Sequence, residues 1–172
     1  MRLTTANIQG GLDFETQDAT LINRTGGALV AGDIVALNLD FAATSGQAMV
    51  GLDPGTNTDG AGGYVFGAAI AVTTENATRI LGVALDSVAD NASGRFRFKG
   101  VVKVNQNGAN AGEFLYGTNA QKYATPVTLT EILALTTQVK LTGISLEAST
   151  GAQVKLALWD GVNGFSMSGG DT

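Results

Sequence analysis

Gly94-Arg95-Phe96-Arg97-Phe98-Lys99-Gly100-Val101-Val102-Lys103-Val104 reads as a β-strand, and the rest of the chain is organised around it. Arg95, Arg97 and Lys99 alternate with Phe96 and Phe98. A period of two places charge on one face and aromatic rings on the other. The rings then belong to a core, and the cations to solvent or to ionic partners. Aromatic rings interleaved with cations also occur on single-strand nucleic-acid platforms, but alternation sends them to opposite faces here.

Downstream of this strand, Asn107-Gly108 is a tight-turn signal. Upstream, Tyr64–Val72 and Arg79–Leu85 read as two buried strands, and Gly26-Gly27 opens a turn before a strand ending at Leu37. Between Ala42 and Gly63 the chain is rich in Gly, Thr, Ser, Asn and Asp, including Asp53-Pro54-Gly55. Such a segment is a long loop or a set of paired turns.

The second half repeats the first. Gly32-Asp33-Ile34-Val35 is answered by Gly112-Glu113-Phe114-Leu115, and Leu81-Gly82-Val83-Ala84-Leu85-Asp86 by Thr142-Gly143-Ile144-Ser145-Leu146-Glu147. The strand from Arg95 to Val101 is answered by Gln153-Val154-Lys155-Leu156-Ala157-Leu158-Trp159. Two such β-units, each too small to bury its own apolar face, are expected to share a core in one barrel or sandwich. Only Thr128 to Thr136 could form a helix, marginal at nine residues.

Three segments follow: an extended N-terminal arm over 1–24, a single β domain over 25–165 and a flexible tail over 166–172. The halves of the domain run over about 25–105 and 106–165, with the long loop at 42–63. The arm has scattered apolar residues without sustained periodicity and leaves room for one short strand. At full extension its 24 residues reach roughly 80 Å. It either folds back on its own body or reaches a neighbour.

Composition narrows the function. Gly is 24 of 172 residues, and charged residues are 15%, against roughly 25% in ordinary soluble domains. Low charge suits a protein that buries much of its surface against copies of itself or a larger assembly. A net charge of −5 argues against binding nucleic acid, which needs a basic face. Apolar runs are too short for a membrane-spanning helix, and Met1–Asn7 lacks the apolar centre of a secretory signal, so a soluble protein made in a cytoplasm is expected.

The chain has neither Cys nor His, which removes thiol nucleophiles, thiolate metal sites, the commonest zinc ligand and the usual general base. Asp53, Asp59, Asp86, Asp90 and Asp160 lie near turns, where capping explains them without a catalytic pair. Calcium could use Asp53, Asn57 and Asp59, although their spacing matches no EF-hand. Gly60-Ala61-Gly62-Gly63 lacks the ending of a phosphate loop. Asn23-Arg-Thr25, Asn76-Ala-Thr78 and Asn91-Ala-Ser93 fit the glycosylation triplet as chance matches. No catalytic, cofactor or metal residue is assigned, and the chain is not expected to be an enzyme.

Gly27-Ala-Leu-Val-Ala-Gly-Asp-Ile-Val-Ala-Leu37, Ile80-Leu-Gly-Val-Ala-Leu-Asp86 and Ser93-Gly-Arg-Phe-Arg-Phe-Lys-Gly-Val-Val-Lys-Val104 resemble the cement (decoration) proteins of tailed-phage capsids. The shared pattern is a Gly-Asp strand, a Gly-Val-Ala strand and an alternating strand ending in Gly-Val-Val. Ala111-Gly-Glu-Phe-Leu-Tyr116 and Gly143-Ile-Ser-Leu-Glu147 resemble its later part, and the likeness spans about residues 25–160. The arm and the 42–63 loop have no match in it.

The resemblance implies an all-β body, a small β-barrel or β-sandwich (β-tulip-like), that forms a homotrimer on the outside of the virion capsid. Its partners would be the major capsid protein and itself, with neither nucleic acid nor membrane involved. Its work would be mechanical, bridging capsid subunits against the pressure of packaged DNA. Under this reading Leu3, Ile8, Leu12, Phe14, Leu21, Ile22 and Arg24 make capsid or inter-subunit contacts. The alternative is a phage fibre, tail or spike module that binds a receptor or glycan. A carboxylate-based hydrolase is a third and weaker reading.

Overall fold

The computed structural model describes residues 15–38, 67–72, 80–118, 121–134 and 139–165. Among them lie strands β1 (Gln17–Asn23), β2 (Ile34–Asn38), β3 (Gly67–Ile70), β4 (Leu81–Ala84), β5 (Ser93–Asn107), β6 (Phe114–Gly117), β7 (Ala124–Val127), β8 (Gly143–Ser145) and β9 (Ala152–Asp160). A short helix, α1 (Leu129–Ala134), follows β7. The fold is all-β, as expected.

The strands form one sheet in the order β1-β3-β2-β4-β5-β7-β6-β8-β9, and two further pairings, β1–β5 and β5–β9, fold it back on itself. The pairings therefore trace two five-stranded rings that share β5. This is possible because β5 is 15 residues long. Its first half, Ser93–Lys99, pairs antiparallel with β1, and its second half, Lys99–Asn107, pairs antiparallel with β9. The β-barrel built from two similar units thus takes a specific form: the first unit closes its ring with β1 from the N-terminal segment, and the second closes its ring on β5 of the first. In the first ring β1 lies parallel to β3 (Leu21↔Gly67), and in the second β5 lies parallel to β7 (Gln106↔Ala124).

The duplication extends to single atoms. Asp33 closes the turn before β2 by accepting the Val30 backbone N–H at 3.0 Å, and Glu113 closes the turn before β6 by accepting that of Asn110 at 2.8 Å. Gly32 and Gly112, at φ +98° and +89°, occupy the left-handed position these turns require. Their N–H groups donate to the carbonyls of Ala84 and Ser145. A Cβ on Gly82 would lie 2.8 Å from the Phe98 ring, and one on Gly143 would lie 2.8 Å from the Trp159 ring. In both rings an aromatic side chain lies across a glycine of the neighbouring strand.

Two apolar clusters fill the molecule. Leu21, Leu29, Val35, Ala84, Val88, Phe96 and Phe98 fill the first ring. Val102, Val104, Leu115, Ala124, Ala157 and Trp159 fill the second, where Ile34, Ala36, Leu81 and Val83 from the outer side of the first ring join them. Each Val, Leu, Ile or Phe among them contributes about 1.5–3 kcal/mol when fully buried. The Trp159 indole N–H donates to the Leu81 carbonyl at 3.1 Å, tying the rings together through a buried polar contact.

Two buried amides occupy matching places. Asn23 donates to the carbonyls of Gly27, Val88 and Ala89 while its oxygen accepts from Thr25, and Gln106 donates to those of Lys155 and Leu156 while accepting from Ser145. These bonds meet the requirement that a buried amide be paired. They also put Asn23 at 0% exposure, inside the fold, where a glycan could not be attached.

Within 1–24 the one short strand that the sequence leaves room for is present. Residues 17–23 are β1, a full member of the first ring, because Leu21 fills the core and Asp18 faces the cations of β5. Residues 1–14, the 42–63 loop and the 166–172 tail lie outside the described residues. The marginal helix forms over Leu129–Ala134, with the Thr128 hydroxyl and the Glu131 carboxylate capping each other's backbone N–H groups.

Candidate interaction surface

Alternation along β5 places Phe96 and Phe98 inside at 0% and 5% exposure, and points Arg95, Arg97 and Lys99 outward. The cations are paired. Arg97 grips Asp18 with two parallel bonds of 2.7 and 2.9 Å, and Arg95 grips Asp86 with two of 3.0 and 3.1 Å. Lys99 lies 3.6 Å from Glu15. Hydrogen bonding from each arginine holds its carboxylate partner below the ordinary carboxylate range. The stripe therefore fastens β1 and the β4–β5 turn to the barrel, and it presents compensated charge to solvent.

At Gly100, φ +114°, β5 passes from one ring to the other. Glu15 and Thr16 pass so close that a Cβ here would lie 2.9 Å from the Thr16 methyl. Beside this crossing is an apolar depression of about 180 Å³ lined by Glu15, Lys99, Gly100, Leu158, Trp159, Asp160 and Phe165. Small-molecule sites occupy roughly 300–1,000 Å³, so this is a dimple at the root of the N-terminal segment. Nearby, Lys140 donates to the carbonyls of Gly161 and Val162, and burial pulls its pKa down.

The outer face of the second ring differs in kind. Register places Phe114 beside Ile144, Ile144 beside Leu158, and Leu158 beside Val101. These four point away from the core and are partly exposed, and exposed Leu146 and partly exposed Leu156 continue the face. The matching row of the first ring is Ile34, Val83, Arg97 and Asp18. Where the first ring carries an arginine–aspartate pair, the second carries leucine and valine.

Of the residues expected to make contacts, Leu21 is 2% exposed and packs into the protein's own core. Ile22 and Arg24 are partly exposed, with Arg24 donating to Asn91. Leu3, Ile8, Leu12 and Phe14 lie outside the described residues, as do Asp53, Asn57 and Asp59. Asp160 accepts the Asn163 N–H at 2.9 Å, a turn cap, and Asp90 accepts from the Asn91 amide. The second-ring row was not anticipated. Its signal lay in Val154-Lys155-Leu156-Ala157-Leu158-Trp159, where apolar residues fall on both faces of one strand.

Fold and surface together define a class: an all-β module of two fused rings whose second ring carries an outer row of partly exposed apolar side chains. No protein-family model matches the chain, and neither does any curated protein. Its fold is similar to the crystal structure of the N base of head fiber gp8.5 in bacteriophage phi29. That match has a TM-score of 0.50 at 10% identity and covers 88% of this chain and 100% of the other. A likeness this remote in sequence shows a shared fold.

Proposed function

We propose that the protein is a non-enzymatic structural component of a phage virion that binds the outside of the capsid and bridges major capsid subunits, as a homotrimer. The observation that carries this reading is the fold shared with the N base of a phage head fiber, over the whole of that base chain. Three β-motifs resembling capsid cement proteins support it independently, as does a charged fraction of only 15%, which suits extensive buried contact. Each interface of ordinary size buries about 1,600 Å², and several engaged by one trimer reinforce one another through multivalency. The second reading, a fibre module with a receptor or glycan at its far end, is favoured by the neighbour's description as a head fiber.

The test is to mix purified protein with capsids that lack it and sediment them. Cosedimentation that saturates at a fixed ratio to the capsid subunit is expected, whereas protein left in the supernatant at high concentration overturns the capsid reading. Deleting residues 1–14, which spares β1, should abolish pelleting without altering the β circular-dichroism spectrum. Unchanged pelleting would remove the N-terminal segment from the attachment mechanism.

A further inference from the structure

We infer that the outer row of the second ring, Val101, Leu158, Ile144 and Phe114, is a contact surface for a second copy of this chain. It deepens the self-association part of the proposed function by naming the face, and it rests on that part alone.

The internal repeat supplies the argument. In the first ring the matching positions Ile34 and Val83 are 1% and 0% exposed, because they pack into the apolar cluster of the second ring. A ring of this same fold is thus the cover that half of this row takes within the chain, while Asp18 and Arg97, which match Val101 and Leu158, stay at the surface. The sheet ends at β9, so among the described residues no third ring follows to cover the second. An uncovered outer face of a repeat ordinarily carries polar residues for solubility. Here the substitution runs the other way: the Asp18–Arg97 pair of the first ring becomes Val101–Leu158 in the second. The other arginine of that stripe, Arg95, becomes Leu156, since Leu85 and Leu146 donate to the Arg95 and Leu156 carbonyls in matching fashion. Leu146, 46% exposed, extends the apolar area. The row itself carries no charge, and the charges of the same face, Lys103 opposite Leu156 and Lys99 opposite Asp160, flank it at its edges, where they can stay in water when another copy covers the row.

The repeat also supplies the variant. Val101→Asp with Leu158→Arg rebuilds on the second ring the ion pair that the first ring carries in the same register. Light scattering of the full chain should give a mass of two or more chains for the wild type and of one chain for the double variant, with far-UV circular dichroism unchanged. Leu146→Lys, at an exposed position, should weaken association in the same direction and serves if the double variant fails to fold. A wild type with the mass of one chain overturns the inference, leaving the face to residues 1–14 or to the shell. Variants that associate as the wild type does also overturn it, and place the contact elsewhere. A one-chain wild type that still pellets with capsids defeats this inference and spares the capsid reading; a self-associating wild type that ignores capsids does the reverse.

Discussion

A Cβ on Gly161 would stand 1.6 Å from the Leu81 carbonyl oxygen, and one on Gly143 would stand 2.8 Å from the Trp159 ring. The first obstacle is backbone already held by hydrogen bonds from Leu81 N–H to Gly161 and from the Trp159 indole, so it cannot retreat. The second is a buried ring that can shift by tenths of an ångström. Gly143→Ala is therefore expected to cost about 1–3 kcal/mol, typical of overpacking, and Gly161→Ala to cost more; urea midpoints rank them, and the reverse order would contradict the geometry. Titration acts at the same scale. Arg97 lowers the Asp18 pKa below 3.8, so the pair stabilises the fold above the unfolded value, and that stability is lost as pH falls through the folded one. Solvent screening keeps this to about 0.2–1 kcal/mol. The gap in urea midpoint between wild type and Asp18→Asn should accordingly begin to shrink below about pH 4 and close only as pH falls through the lowered folded value. A gap that persists in acid would mean the pair is not its source.

Among the elements, β5 has the largest structural role and α1 a small one. The length of β5 allows two rings to close on a single strand, and the positive φ of Gly100 marks where it changes partners. At six residues α1 is too short to persist alone, so the reciprocal Thr128–Glu131 cap matters to it. Thr128→Ala should speed amide exchange over residues 129–134, with a local loss of about 1 kcal/mol, and leave the urea midpoint of the barrel nearly unchanged. A large drop in the midpoint would show that the helix supports the barrel.

Over the whole molecule, the rings share one strand, and Ile34, Ala36, Leu81 and Val83 of the first lie in the cluster of the second. Neither ring can open without exposing the other's core. Thermal unfolding should therefore be a single transition with matching calorimetric and van't Hoff enthalpies, and two resolved transitions would mean the rings are separable domains.

The alternation of Arg95–Lys99 with its two phenylalanines determined the strand, its inner and outer faces and the all-β class, because side-chain direction in a strand follows a period of two whatever the fold. The repeated Gly-Asp and Gly-Glu turns likewise made the duplication legible. What the first ring uses as its fifth strand was not legible: Gln17–Asn23 has no sustained period, and it becomes β1 because Arg97 and the open edge of β5 receive it and Leu21 fills the core. The ring closures belong to the tertiary structure for the same reason, since pairing across distant residues depends on which edges the rest of the chain leaves open. So does the outer row of the second ring. Leu158 and Val101 are ordinary apolar residues in sequence, and only register sets them side by side at the place where the first ring keeps an ion pair.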